Sequence, residues 1–187
     1  MPYITLKDMN RPGIGGLLSF RPDPARPLLE LAEVLLRGDN TLTRGERELI
    51  VTLVSALNRC EWSRRAHGAF AAAQLEGGRP LVEHVCRDLD SAPIPEKLRA
   101  LLRLAVAVTQ SGKAVTPAHI TAARQHGATD EEIHDTVLIA AAFCMFNRYV
   151  SGLDTVVPDD PAVYEGLTDI LLESNYRVLG GMEDSRS

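Results

Sequence analysis

Cysteine is scarce in this 187-residue chain, and its three cysteines, Cys60, Cys86 and Cys144, are widely spaced. An odd number of distant cysteines does not make a disulfide framework and is typical of a reducing compartment. The longest apolar run, residues 137–146, is shorter than the roughly 20 residues that a membrane-spanning helix needs. The N-terminal segment carries no basic-then-apolar signal pattern. These absences predict a cytoplasmic protein that does not act at a membrane.

Aromatic residues and positive charge are also in short supply. Phe, Trp and Tyr make up 5% of the chain, with Trp62 the single tryptophan, and the formal net charge is −5. Nucleic-acid binders usually carry a basic patch, so this balance argues against a nucleic-acid partner. The sequence also has no HExxH motif and no paired CxxC motifs, so we expect neither a metal centre nor a bound cofactor.

Helical periodicity dominates the rest of the chain, and no segment alternates with the period of a strand. Thr43 and Thr129 each precede a glutamate by three residues, which is the spacing of a capping box at a helix start. Thr116 followed by Pro117 marks another start. We predict an all-α, single-domain bundle of about eight helices. Its most apolar helix, at residues 130–151, is expected at the centre or at an interface.

The two ends of the chain differ from this helical middle. Residues 10–27 are rich in proline and glycine, so residues 1–27 are predicted to form an extended arm. The helical domain is predicted to span residues 28–176, with a first helix that begins beside Pro27. The polar residues 177–187 are predicted to be a disordered tail.

The segment from Glu48 to His67 carries the candidate chemistry. Glu48 lies beside the apolar face of a predicted helix, where partial loss of water favours a carboxylate that acts as a base. Asn58 is a suitable N-cap for the next helix, which would place Cys60 in its first turn. There the unpaired N–H groups and the helix dipole favour a thiolate. Because Cys60, Ser63 and His67 share one helix face, we expect them to meet Glu48 in one site.

This spacing resembles the motif of the alkylhydroperoxidase D-like members of the carboxymuconolactone decarboxylase superfamily. In those proteins a glutamate is followed twelve residues later by Cys-x-x-Cys-x-x-x-His, and this chain has Glu48, Cys60, Ser63 and His67. The segments LTRGERELIVTLVSALNRCEWSRRAHGAFAAAQL and GATDEEIHDTVLIAAAFCMFNRYVSGL resemble a peroxidase-related branch, and the likeness covers residues 12–165. The resemblance implies an all-α fold and a homo-oligomer built from trimers.

Ser63 stands where the family has its second cysteine. The resemblance implies that this cysteine attacks peroxide and that the first cysteine closes a disulfide with it, a cycle that serine cannot complete. One interpretation is therefore a one-cysteine peroxidase, in which Cys60 is the nucleophile, Glu48 and His67 relay protons, and an external thiol is the reductant. Another is decarboxylase-type acid–base chemistry by Glu48 and His67 on a small carboxylated compound.

Two further alternatives remain open at this point. Ser63 could be activated by His67 and Glu48 as in a hydrolase, although the sequence shows no nucleophile elbow. The protein could also be a non-catalytic oligomer on an enzyme-derived fold.

Three more residues are candidates for the substrate pocket, and each has an ordinary structural interpretation. Trp62 could wall the pocket or pack in the core. His134, near the start of the apolar helix, could face the substrate or lie on the surface. Arg148, in an Asn-Arg-Tyr segment that resembles the family branch, could hold a carboxylate or form a subunit contact.

Overall fold

The computed structural model describes residues 1–176 and residue 178, and within that part of the chain it contains helices and no strand. The all-α prediction is confirmed, with one more α-helix than expected. The helices are α1 Gly13–Phe20, α2 Pro22–Arg37, α3 Arg44–Leu57, α4 Glu61–Gln74, α5 Gly78–Arg87, α6 Glu96–Gln110, α7 Pro117–Gln125, α8 Asp130–Gly152 and α9 Pro161–Glu173, with a 3-10 turn at Gly112–Ala114.

The N-terminal segment is the largest difference from the prediction. The extended arm predicted for residues 1–27 is wrong, because α1 occupies residues 13–20 and α2 already begins at Pro22. Proline suits the first turn of a helix, since its φ is fixed near the helical value and its missing N–H has no partner there anyway. The proline-rich composition therefore starts a helix here instead of preventing one.

Glycine at the start of α1 lets this segment fold onto the body of the protein. Gly13 has a φ of +56°, a value that favours glycine, and a Cβ at this position would overlap the Trp62 indole. Its N–H donates to the Val156 carbonyl at 2.9 Å. The segment that was predicted to be loose thus meets Trp62 of α4 at Gly13, and α1 packs against α2 and α8.

Local capping signals locate two of the central helices correctly. At the start of α3, Thr43 Oγ1 accepts from the Glu46 N–H at 3.2 Å, and Glu46 Oε2 accepts from the Thr43 N–H at 2.8 Å. Thr129 and Glu132 make the same reciprocal pair at the start of α8. These two predicted helix starts are confirmed.

Helices α3, α4 and α8 form the centre of the bundle. The pair α3 and α4 packs along its length, α8 crosses α3 and α6, and α9 lies against α4. The prediction that α8 lies at the centre or at an interface agrees with its burial: Ile139, Ala140 and Phe143 are buried, whereas Leu138 and Met145 are exposed.

Two further predictions concern membranes and the tail. No helix in the described residues is long and apolar enough to cross a membrane. The disordered tail predicted for residues 177–187 lies outside the described residues, apart from Val178, and stays a prediction.

Candidate active site

The link between α3 and α4 differs from the predicted one. Asn58 ends α3 instead of capping α4, Arg59 adopts a left-handed φ of 55°, and Cys60 is the N-cap of α4. The Asn58 side chain points to Cys144 Sγ at 3.4 Å, and the Cys60 N–H donates to the Ser55 carbonyl at 3.0 Å. This compact link reverses the chain, so that α4 packs back along α3 and faces it with its motif residues.

Glu48 is wholly buried and lies between two hydrogen-bonding partners. Its Oε2 is 2.7 Å from His67 Nδ1, and its Oε1 accepts from the Tyr176 hydroxyl at 2.5 Å. An ionised Glu48 carboxylate can only accept, which assigns the proton of a neutral His67 to Nδ1 and leaves Nε2 for another partner. The structure therefore brings Glu48 and His67 together, as their spacing predicts.

Tyr176 stabilises the buried charge of Glu48. Burial raises the pKa of Tyr176 well above its usual value, and the neighbouring Glu48 raises it further. The phenol therefore stays protonated and acts as a donor. Arg37 lies over the Tyr176 ring with its guanidinium carbon 5.7 Å from the ring centre, and it donates to the Leu171 carbonyl at 2.8 Å. Such partners offset part of the cost of burying a carboxylate.

Aromatic rings fix the orientation of the His67 imidazole. Phe143 and Phe70 meet it edge-on, with ring centres 4.9 and 5.3 Å away, and Tyr176 stacks at 6.3 Å with a 15° interplanar angle. The His67 side chain keeps 11% of its surface exposed. The imidazole is thus held by its neighbours but still open on one side.

His67 lines two cavities: one of about 260 Å³, which Arg11, Trp62 and Phe70 also line, and a smaller one of about 50 Å³. A single water needs roughly 10–15 Å³, so the smaller cavity holds a few water-sized groups of a ligand. Four polar side chains reach it, and none of its described lining residues is Lys, Arg, Asp or Glu. The lining consists of Ile14, Leu18, Leu28, Leu29, Ala32, Trp62, Ser63, His67, Phe143, Phe146, Asn147, Val150 and Tyr176.

Ser63 faces this cavity but is hydrogen-bonded away from His67. Its Oγ lies 2.9 Å from Ser55 Oγ, and Ser55 in turn lies 3.3 Å from the side-chain amide of Asn147. Among the described residues, Ser63 makes no hydrogen bond to His67. The geometry therefore does not favour Ser63 as a hydrolase nucleophile, because that role needs direct contact with the base.

Cys60 lies outside the cavity. It is 2% exposed, belongs to the apolar core, and is not one of the cavity-lining residues. Trp62 does line the cavity and also packs on Tyr164, with ring centres 5.4 Å apart. The structure thus unites Glu48, His67, Ser63 and Trp62 and leaves the motif cysteine one helical turn away.

The two remaining candidates also lie elsewhere. His134 is 70% exposed and pairs with Asp135 at 2.8 Å on the surface. Arg148 donates to the Cys144 carbonyl at 3.0 Å and borders a groove between α6 and α8. Neither lines the cavity beside His67, so the structure gives no support to a substrate-facing role for them.

A second cleft, of about 260 Å³, lies on the other face of α4, between α5 and α9. Arg64, Arg65, Arg79 and Cys86 are among its lining residues. Glu61 accepts from Arg64 and Arg65 at 2.6 Å each, and the hydrogen bond from Arg64 is the main reason that the pKa of Glu61 falls to about 2. Burial raises the pKa of the Cys86 thiol. No group of three His, Cys, Asp or Glu side chains in the described part of the chain could hold a metal ion.

Sequence reasoning missed several residues that shape the site. Tyr176 lies beyond α9, where nothing in the pattern distinguishes it from any other aromatic residue near a polar tail. Ile14 and Leu18 reach the cavity from α1, which the glycine-rich composition concealed. Asn147 had a usable signal, since it lies in the Asn-Arg-Tyr segment that resembles the family branch, but the charged Arg148 beside it is the more conspicuous candidate.

Comparison with known proteins identifies the family of this chain. Residues 80–156, from α5 to the end of α8, match the model of the Carboxymuconolactone decarboxylase family. A solved structure with 33% identity is an uncharacterized peroxidase-related protein from Ralstonia eutropha JMP134, described as an alkylhydroperoxidase AhpD core. Its TM-score is 0.74, over 80% of this chain and 78% of that one. The chain therefore belongs to the alkylhydroperoxidase D-like group of the carboxymuconolactone decarboxylase superfamily, and the predicted resemblance is confirmed.

Two other solved structures have the same fold. An uncharacterized peroxidase-related protein from Silicibacter sp. TM1040 is 27% identical, with a TM-score of 0.73 over 79% of this chain and 77% of that one. A protein of unknown function from Agrobacterium tumefaciens is 21% identical, with a TM-score of 0.66 over 74% of this chain and 93% of that one. No match was found among curated proteins. Two of the three solved structures are therefore described as peroxidase-related proteins.

Proposed function

We propose that this protein is an enzyme that moves a proton to or from a small, uncharged, largely apolar molecule bound beside His67. The observation that carries the proposal is the 2.7 Å contact between Glu48 and His67 at the wall of the apolar cavity. A carboxylate that holds one imidazole nitrogen leaves the other free to accept or donate a proton, which is the arrangement of a general acid–base catalyst.

The lining of the cavity sets the class of substrate. A carboxylated compound would need a cation, because a buried carboxylate without a partner is costly. The described lining residues of the 50 Å³ cavity include no lysine or arginine. Arg148 lies at a different groove, and Arg11 lines the 260 Å³ cavity that His67 also borders. An uncharged substrate with a weakly acidic proton fits these walls better. Asn147 and Ser63 are available as hydrogen-bonding groups for one of its oxygens.

Proton exchange tests this proposal with a probe molecule in place of the natural substrate. The probe is α-angelica lactone in D₂O, an uncharged lactone with acidic protons beside its carbonyl, and NMR follows the uptake of deuterium above the buffer rate. We expect exchange by the parent protein and a loss of about 10²- to 10⁴-fold in His67→Gln, because general acid–base catalysis contributes that much. Equal exchange by the parent and His67→Gln would reject the proposal.

A second candidate is the one-cysteine peroxidase. It is favoured by the names of the two peroxidase-related structures and by the position of Cys60, three residues before Ser63. A hydroperoxide is also small, uncharged and largely apolar, so the same cavity suits it.

The peroxidase reaction would run in three steps. The Cys60 thiolate attacks the terminal peroxide oxygen, an S–O bond forms, the O–O bond breaks, and the departing alkoxide takes a proton from His67. One equivalent of an external thiol then displaces water from the sulfenic acid and leaves a mixed disulfide. A second equivalent releases the Cys60 thiol and the oxidised reductant as its disulfide. For the first step the peroxide has to reach a side chain that is 2% exposed.

The test of this candidate is the consumption of tert-butyl hydroperoxide with dithiothreitol as the donor, measured for the parent and for Cys60→Ala. The peroxidase candidate predicts that Cys60→Ala loses the activity and that dimedone traps a sulfenic acid on Cys60 in the parent. If Cys60→Ala consumes peroxide as fast as the parent, the thiol mechanism is wrong.

A further inference from the structure

Tyr176 enters the site from outside the helical bundle proper. It lies three residues beyond the end of α9 and is 3% exposed. Its hydroxyl donates to Glu48 Oε1 at 2.5 Å, and its backbone N–H donates to Glu33 Oε2 at 2.9 Å. Its ring stacks on His67 and lines the cavity. One residue of the C-terminal segment therefore contacts the carboxylate, the imidazole and the space for the substrate.

We propose that Tyr176 is a positioning residue for the Glu48–His67 pair, and that its hydroxyl holds one oxygen of Glu48 so that the other faces His67 Nδ1. The inference rests on the proposed acid–base role of that pair. A carboxylate with one partner can rotate about its last bond, whereas two donors on opposite oxygens fix its plane. The stacked phenol ring also keeps the imidazole from turning away from Glu48.

The surroundings of Tyr176 favour donation by its hydroxyl. The side chain lies beside Arg37 of α2, Glu48 of α3 and His67 of α4, and its backbone N–H donates to Glu33 of α2. Burial raises its pKa most, and Glu48 raises it further. Arg37 opposes this rise and is the smaller influence. The phenol therefore keeps its proton near neutral pH and donates to Glu48.

This role predicts a specific change at the His67 ring. When the phenol is removed, Glu48 Oε1 loses its donor, and the carboxylate is free to rotate about its last bond. Glu48 Oε2 then no longer holds the Nδ1 proton of His67 in one position, so the proton is shared between the two ring nitrogens. In Tyr176→Phe we expect the fraction of neutral His67 that carries its proton on Nδ1 to fall below that of the parent.

The experiment measures the ring ¹⁵N chemical shifts of labelled histidine at about pH 8 in the full-length chain, because these shifts report which ring nitrogen carries the proton. His67 is assigned from the spectrum of His67→Gln. The matched control is Tyr164→Phe. Tyr164 is also buried, but its hydroxyl donates to the Pro158 carbonyl and not to Glu48. A lower Nδ1–H fraction in Tyr176→Phe, with the parent value in Tyr164→Phe, supports the proposal. An unchanged fraction in Tyr176→Phe, or the same fall in both variants, overturns it.

If Tyr176→Phe is too unstable for this measurement, the parent protein supplies a second one. A buried hydroxyl proton in a 2.5 Å hydrogen bond to a carboxylate gives a downfield resonance with an Overhauser contact to the His67 ring. Absence of that resonance overturns the proposal. Neither measurement uses turnover, so failure of the Tyr176 role and failure of the acid–base function are distinguished.

Discussion

Helix α4 separates two environments of different character. On one face, Ser63 and His67 meet a cavity of about 50 Å³ with mostly apolar walls, and Glu48 is buried behind His67. On the other face, Arg64 and Arg65 meet a cleft of about 260 Å³ with charged walls. We call these the apolar face and the charged face of α4.

The difference shows where chemistry is to be expected. On the apolar face, Glu48 is fully buried and His67 is 11% exposed, so solvent weakens the interaction of this pair little. On the charged face, Arg64 and Arg65 are paired with Glu61 and Asp159, and solvent and salt weaken those pairs. Greater charge density therefore does not mark the active site here; the isolated buried pair does.

The largest expected effect separates the two faces by activity. Glu48→Gln should lower deuterium exchange of α-angelica lactone by about 10²- to 10⁴-fold, because His67 loses the carboxylate that stabilises its protonated form. Arg64→Gln, on the charged face, should leave the exchange rate within about twofold of the parent, because Arg64 contacts neither His67 nor the 50 Å³ cavity. A comparable loss in both variants would remove the distinction between the faces.

The next effect concerns the stability of the packing on the apolar face. Gly13→Ala should lower the free energy of unfolding by about 2–4 kcal/mol, because alanine resists the left-handed backbone and its Cβ would overlap Trp62. Urea denaturation measures this change. Gly112→Ala is the control, since a Cβ at Gly112 meets nothing within 4 Å. A loss in Gly13→Ala no larger than in the control would contradict the packing of α1 onto α4.

The reactivities of Cys86 and the core thiol Cys60 should differ by a smaller factor. Cys86 lines the cleft on the charged face and is partly exposed, whereas Cys60 is buried. Iodoacetamide should therefore modify Cys86 about tenfold faster than Cys60 in the native protein. Because burial raises the pKa of Cys86, its rate should still be rising above pH 9. Mass spectrometry of the peptides gives both rates, and faster labelling of Cys60 would favour the peroxidase candidate.

The smallest effect is the pH dependence of the stability that the ion pairs on the charged face contribute. The pKa of Glu61 falls from 4.5 to about 2 in the folded protein, chiefly through Arg64. Its stabilising contribution is thus complete above the unfolded value and disappears as the pH falls through 2. Since the side chains are partly exposed, we expect less than about 1 kcal/mol.

Urea denaturation of the parent and of Glu61→Gln between pH 6 and pH 2 measures this contribution. The advantage of the parent should shrink toward pH 2, and at pH 6 it should shrink in 1 M salt. An advantage that is independent of pH would mean that the charge of Glu61 does not matter to stability.

The sequence predicted the parts of the fold and site that depend on neighbouring residues. The helices that begin after Thr43 and Thr129 follow from reciprocal capping contacts across three residues. The meeting of Glu48 and His67 follows from two helices joined by a short reversal, because their spacing then fixes the faces that oppose each other.

Contacts across long distances in the chain were not predictable. Tyr176 reaches Glu48 over 128 positions, and no local pattern encodes such a contact. The burial of Cys60 outside the cavity depends on a left-handed Arg59, which shifted the start of α4 past the predicted N-cap. The glycine-rich composition predicted an extended arm, but Gly13 instead allows close packing against Trp62.

Glu48 and His67 are the proposed reacting groups, and Cys60 is not required in that proposal. The most direct measurement compares the initial deuterium-exchange rates of His67→Gln and Cys60→Ala with α-angelica lactone, each divided by the rate of the parent. We predict a loss of about 10²-fold or more in His67→Gln and a rate near that of the parent in Cys60→Ala. A rate near the parent in His67→Gln, or a loss of that size in Cys60→Ala, would contradict the proposed roles.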